Sequence, residues 1–152
     1  MSTINYQYIA DRIPIEILKP LMSSAGLSDV NEDLVNEFIS DADAEVDNAL
    51  ATRYLFPYIK TDEELGDKAF SLIKRWKFLI VRQLIYSRRY DDDEMKEVNS
   101  HHSAVLSILE RVRKGNYEIP GLTRKTNNPS KLIKSKENTQ VFNKRRLKTY
   151  DS

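Results

Sequence analysis

Apolar residues recur along this chain in three long stripes at spacings of three and four, each bounded by residues that start or stop a helix. That pattern leaves little room for anything but packed helices. Asn31 is a candidate N-cap for the first stripe, Leu34, Phe38, Ala42, Val46, Ala49 and Leu50, which extends to about Leu55 and is ended by Pro57. Thr61 followed by Glu64 reads as a capping box, in which each side chain satisfies a free backbone N–H. Behind it lie Leu65, Ala69, Leu72, Trp76, Leu79, Ile80 and Leu84, widened by Phe70, Ile73 and Val81, so residues 61–88 form the broadest apolar face and the central helix. Its polar side is predicted to be a basic edge of Lys68, Lys74, Arg75, Lys77, Arg82, Arg88 and Arg89.

Asp91, Asp92, Asp93 and Glu94 put negative charge where the dipole of a following helix favours it, and Met95, Val98, His102, Val105, Leu109 and Val112 continue the stripe. Arg111, Arg113 and Lys114 fill the last turn before Gly115, which suits the position just past a helix end. Pro14 and Pro20 bracket a shorter helix at residues 15–22. The expected fold is all-α: a small antiparallel bundle of three main helices plus a short N-terminal helix, with an extended C-terminal arm. Only 4 glycines in 152 residues argue against a turn-rich sheet and against a phosphate-cradling loop.

Charge divides the chain near Pro120. Residues 1–120 carry 15 basic and 21 acidic groups, net −6, whereas residues 121–152 carry 9 and 2, net +7. We therefore expect a helical body over 1–120 and a basic arm over 121–152 that is too poor in apolar residues to fold alone. Within the arm Leu132, Ile133, Val141, Phe142, Leu147 and Tyr150 are spaced as anchors, accompanied by Lys144, Arg145 and Arg146. Met1 to Ala10 lacks the basic start and apolar run of a signal peptide, and no stretch approaches the ~18 apolar residues of a membrane helix. A soluble chain with no membrane partner is expected.

The sequence carries no catalytic or metal-binding pattern that holds together. The absence of cysteine excludes thiolate chemistry and a disulfide framework. Asp41, Asp43, Glu45 and Asp47 alternate like the first ligands of a calcium loop. Such a loop needs Gly where Val46 stands and Glu where Thr52 stands, so these acids are expected on a helix, solvated or facing another subunit. His101 and His102 point about 100° apart on a helix and do not chelate one ion, and His102 falls on the apolar stripe as a core residue. No nucleophile motif or zinc-helix motif occurs, so neither catalysis nor a cofactor is expected. At the end of the first long helix, Arg53 is expected to help the last carbonyls, and Tyr54 and Phe56 to pack under the central helix.

The run from Asp41 to Pro57, DADAEVDNALATRYLFP, resembles the signature of tailed-phage neck proteins, the head–tail connector or adaptor (head completion) family. The carrying residues are Asp43, Asp47, Leu50, Arg53, Tyr54 and Pro57. They are followed by a long helix, a tyrosine-rich stretch from Tyr86 to Tyr90, and a last helix that closes on Arg-Val-Arg-Lys-Gly before Ile119 to Leu122. The resemblance spans about residues 30–122. It implies a small α-helical bundle without enzymatic activity that forms a ring, typically of twelve copies, beneath the portal of a DNA-filled capsid. It also implies the portal protein and tail-side connector or stopper proteins as partners, transient nonspecific contact with DNA in the channel, and a place in the virion neck after synthesis in the host cytoplasm. The alternative is a small nucleic-acid-binding accessory protein that uses the basic arm and the basic edge of the central helix on phosphates.

Overall fold

The structure, a computed structural model, describes residues 4–24 and 29–126. Five helices follow in order: α1 (Tyr6–Ala10), α2 (Ile15–Met22), α3 (Glu32–Leu50), α4 (Glu63–Tyr86) and α5 (Lys96–Arg113). No named strand occurs among the described residues, and the fold is all-α as expected. The three long helices pack on one another, with Val35, Ile39, Ala42, Val46, Ala49 and Leu50 of α3 against Ile73, Trp76, Ile80 and Val81 of α4 and Val105, Leu109 and Val112 of α5. Burying each large aliphatic or aromatic side chain contributes about 1.5–3 kcal/mol. Ala42, Val46, Ala49 and Leu50 are buried as expected, but in the first turns of α3 Val35 and Ile39 fill the core while Leu34 and Phe38 lie partly buried against it.

Helix α1 was not anticipated. Asn5 caps it by accepting a hydrogen bond from the Tyr8 N–H, and Ile4, Ile9 and Ile13 are buried around it. The polar residues between those isoleucines mask the pattern in so short a segment. Helix α2 matches its predicted span and carries Pro20 inside it. The α2–α3 connection closes where the Asn31 N–H donates to the Met22 carbonyl (2.8 Å) and the Asn31 side chain caps α3 at Leu34 N.

Two helix boundaries and one burial differ from expectation. Helix α3 stops at Leu50 rather than near Leu55, as the Leu50 carbonyl accepts from both Arg53 N and Tyr54 N and the chain leaves in a turn. Helix α4 is capped by Asp62, whose carboxylate accepts from Leu65 N (2.9 Å), and the expected box of Thr61 and Glu64 does not form. Thr61 is already committed, its N–H donating to the Gly121 carbonyl (3.0 Å), and the Glu64 carboxylate is held by Lys68. His102 is half-buried on the flank of α5 and not in the core.

At the end of α5 the Gly115 N–H bonds the Val112 carbonyl and the Asn116 N–H bonds the Arg111 carbonyl, with Gly115 at φ +78°, a Schellman ending. The chain then returns to the α3–α4 connection. Residues 121–125 run between its two halves: Leu55 N donates to Thr123 O (3.0 Å), Lys125 N to Arg53 O (2.9 Å), Thr123 N to Ile59 O (2.8 Å) and Thr61 N to Gly121 O (3.0 Å). Antiparallel bridges pair Tyr54 with Arg124 and Lys60 with Leu122, while Ile119 and Leu122 are buried. The described start of the expected arm, residues 121–126, thus lies along the body, fastened there through Lys125.

Gly121 makes this return possible, since it sits at φ +90° and a Cβ there would come within 2.3 Å of the Leu65 carbonyl carbon. Gly121→Ala is expected to destabilise the fold by about 3 kcal/mol, combining backbone strain with displacement of the return segment. Urea unfolding followed by circular dichroism measures the loss.

Candidate functional site

The residues of the 41–57 signature converge on one end of the bundle, where the end of α3, the start of α4 and the return segment meet. Asp43 and Asp47 are one turn apart on α3 and so share a face. Opposite them on α4 stands Lys77, fully buried at 0% exposure, with its Nζ 2.9 Å from an oxygen of each carboxylate. Asp47 also receives the Tyr58 hydroxyl at 2.5 Å and a second contact from Lys77 at 3.1 Å. Asp43 Oδ1 is close to the ammonium but too bent in approach for an aligned hydrogen bond, so its attraction is purely ionic. The carboxylates are 17% exposed, which leaves them partly hydrated while the lysine is not.

Lys77 was expected on the basic edge of α4; it lies instead among the core positions. The signal was present in its spacing, four residues after Ile73 and three before Ile80, both buried. A buried ammonium demands compensating anions, so Asp43 and Asp47, expected as solvated or subunit-facing acids, instead face Lys77 within the bundle. Burial, with the hydrogen bond to Asp47 and the negative charge of Asp47 and Asp43, pushes the Tyr58 phenol well above its ordinary range.

The rest of the signature fastens the same junction. Leu50 is fully buried, and Tyr54, 2% exposed, accepts the Ile119 N–H on its hydroxyl at 2.7 Å. Arg53 places its guanidinium over Gly115, where a Cβ would meet it at 2.9 Å, and its carbonyl receives Lys125. Pro57 is exposed and follows a cis peptide bond from Phe56. Phe56, expected under the central helix, is 48% exposed and packs edge-on against Tyr58 at 5.3 Å. The signature thus ties α3 to α4 through Asp43 and Asp47, and α3 to the returning chain through Arg53 and Tyr54.

What the junction presents outward is apolar. Leu55, Phe56, Ile59 and Leu65 are all exposed, Ile59 at 52%, and all four lie in the stretch wrapped around residues 121–123. Beside them stand Asp62, Glu63, Glu64 and Asp67, partly offset by Lys60, which bonds Glu63 and Asp67 at 2.7 Å, and by Lys68, which bonds Glu64 at 2.6 Å. The remaining basic edge of α4 is interrupted: Arg82 meets His101 Nδ1 at 2.7 Å and Arg88 reaches the Met22 sulfur at 3.8 Å. The expected arm anchors Leu132, Ile133, Val141, Phe142, Lys144, Arg145, Arg146, Leu147 and Tyr150 lie outside the described residues.

No helix among the described residues is long and apolar enough to cross a membrane. Bundle, buried ion cluster and clamped return define a small helical-bundle protein whose distinguishing sequence serves to rigidify one corner. The family model described as Bacteriophage Mu, Gp36 matches residues 4–136, and the chain belongs to that bacteriophage family. No curated protein matches it.

Two outcomes test this junction. Lys77→Met leaves Asp43 and Asp47 facing each other without a cation and is expected to cost about 3–5 kcal/mol in urea unfolding; adding Asp43→Asn and Asp47→Leu recovers most of that loss. Tyr58 should stay protonated when ordinary tyrosines ionise near pH 10. While the helical signal persists, Tyr58→Phe therefore leaves the alkaline rise in phenolate absorbance unchanged, whereas in denaturant it lowers the rise by one tyrosine's share of the protein's eight.

Proposed function

We propose that the chain is a structural head–tail connector: a ring of about twelve copies under the portal, joining capsid to tail and passing DNA, with no catalytic step. The observation that carries this proposal is the use made of the connector-like signature in a chain of the Mu Gp36 family: Asp43, Asp47, Leu50, Arg53 and Tyr54 rigidify a corner from which a basic arm departs. A rigid root supports an assembly role, since each copy then launches its arm from the same place and direction. In a ring, many weak arm contacts made through one scaffold add up as avidity. The arm anchors Leu132, Ile133, Val141, Phe142, Leu147 and Tyr150, with Lys144, Arg145 and Arg146, would order on the portal or a neighbouring subunit. Tail-side stopper proteins would meet the opposite face, and the assembled protein would reside in the virion neck after synthesis in the host cytoplasm.

The acidic face of α3 suits passage of DNA. Asp33, Glu37, Asp41 and Glu45 recur every four residues, are exposed, and have no cation within ion-pair distance among the described residues. Carboxylates turned toward a channel repel phosphates and let the duplex slide, with only transient nonspecific contact elsewhere. The nucleic-acid-binding alternative is weakened by Lys77, which leaves the basic edge of α4 for the core.

Native mass spectrometry of the chain alone and with a portal ring tests the proposal. A portal-dependent ring is the expected result, and salt-sensitive DNA binding by a monomer with no portal-dependent assembly rejects it in favour of the alternative. Deleting residues 127–152 should preserve the helical circular dichroism and abolish docking; unchanged docking removes the arm from the mechanism.

A further inference from the structure

The apolar corner of Leu55, Phe56, Ile59 and Leu65 is the largest grouping of exposed hydrophobic side chains on the described surface, and the chain passes directly beneath it before leaving at Thr126. Its flank is acidic, with Asp62, Glu63, Glu64 and Asp67 against the two lysines that partner them. Six residues beyond Thr126 the sequence offers the complementary pattern: Leu132 and Ile133 flanked by Lys131, Lys134 and Lys136. Between them lies Asn127-Asn128-Pro129-Ser130, residues that favour a chain reversal. A span of six residues reaches at most about 20 Å, so the pair stays near the corner beside which the chain exits.

We infer that this corner is the seat of the chain's own Leu132 and Ile133, with Lys131, Lys134 and Lys136 set against Asp62, Glu63, Glu64 and Asp67. Direction requires the reversal: residues 121–125 run from Leu65 toward Arg53, away from the acidic flank, and the arm regains that flank only by turning back. The short tether supplies a high effective concentration, so a small apolar pair suffices where a free peptide of the same sequence would bind weakly. In the isolated chain the seated pair covers the apolar surface, and on assembly Leu132 and Ile133 would exchange this seat for the portal or neighbouring subunit. The inference concerns the isolated chain and stands or falls apart from the connector proposal.

The absence of cysteine makes a direct test clean. The full-length double variant Ile59→Cys/Ile133→Cys is oxidised mildly at low protein concentration and compared with Lys114→Cys/Ile133→Cys. Lys114 is exposed and adjoins Gly115, over which Arg53 lies, so it is also near the arm's root but outside the corner. Both engineered corner and control positions are solvent-facing, so neither substitution threatens the fold. The expected result is a monomeric disulfide forming at least roughly tenfold faster in the Ile59 pair, slowed severalfold by Lys131→Glu/Lys134→Glu/Lys136→Glu and by high salt. Equal rates for the two pairs overturn the inference, as does a disulfide-linked dimer whose yield scales with concentration, which assigns the seat to a second copy. An unchanged rate in the charge-reversed variant overturns the pairing with the acidic flank. Portal is absent throughout, so failure here leaves the ring assay unaffected and failure of the ring assay leaves this result standing.

Discussion

A lysine ammonium with no access to water sets the terms for the upper half of this bundle. Lys77 is surrounded by the side chains that make the α3–α4 contact, and its charge is tolerable only while Asp43 and Asp47 stand across from it. Apolar contacts alone permit neighbouring helices to slide by a turn with modest loss, because one aliphatic side chain replaces another. An ion cluster does not permit it, since a shift of one turn would strand a charge. The register of α3 on α4 is therefore specified by electrostatics and stabilised by the surrounding hydrophobic burial. Tyr58 extends the specification into the loop by donating to the same carboxylate.

That fixed register is what gives the return segment a slot to enter. Two halves of the α3–α4 connection must lie at the right separation for residues 121–125 to bond both, and Tyr54 must project its hydroxyl to the Ile119 N–H. Glu118 and Arg124 add an exposed ion pair across the return, in which the guanidinium holds the carboxyl below its usual range. The signature that resembles phage connectors thus does its work inside the bundle. Surfaces that meet other molecules are then free to differ in composition, because the geometry that presents them is secured from within.

Much of the architecture could be read from the chain because its cues are local. The Asn31 cap, the acidic approach to α5, the Gly115 ending and the span of α2 each depend on residues within a turn or two of one another. Lys77 was misassigned because charge was given more weight than spacing, although Ile73, Trp76 and Ile80 placed it on the buried stripe. The true cap of α4 and the early end of α3 were hidden for a different reason. Both are decided by residues 121–125, some sixty positions away, and pairing at that separation leaves no periodic mark in either segment. The candidate corner was legible as a signature but not as a surface: the exposure of Phe56, Ile59 and Leu65 follows from that same distant pairing.

The slot also fixes an order of events. Residues 53–61 are made some sixty positions before the segment that pairs with them. A nascent chain can pack α3 against α4 while this junction stays unsealed, and the sealing waits until residues 121–125 have been made. A product cut short before residue 121 would therefore lack the sealed corner.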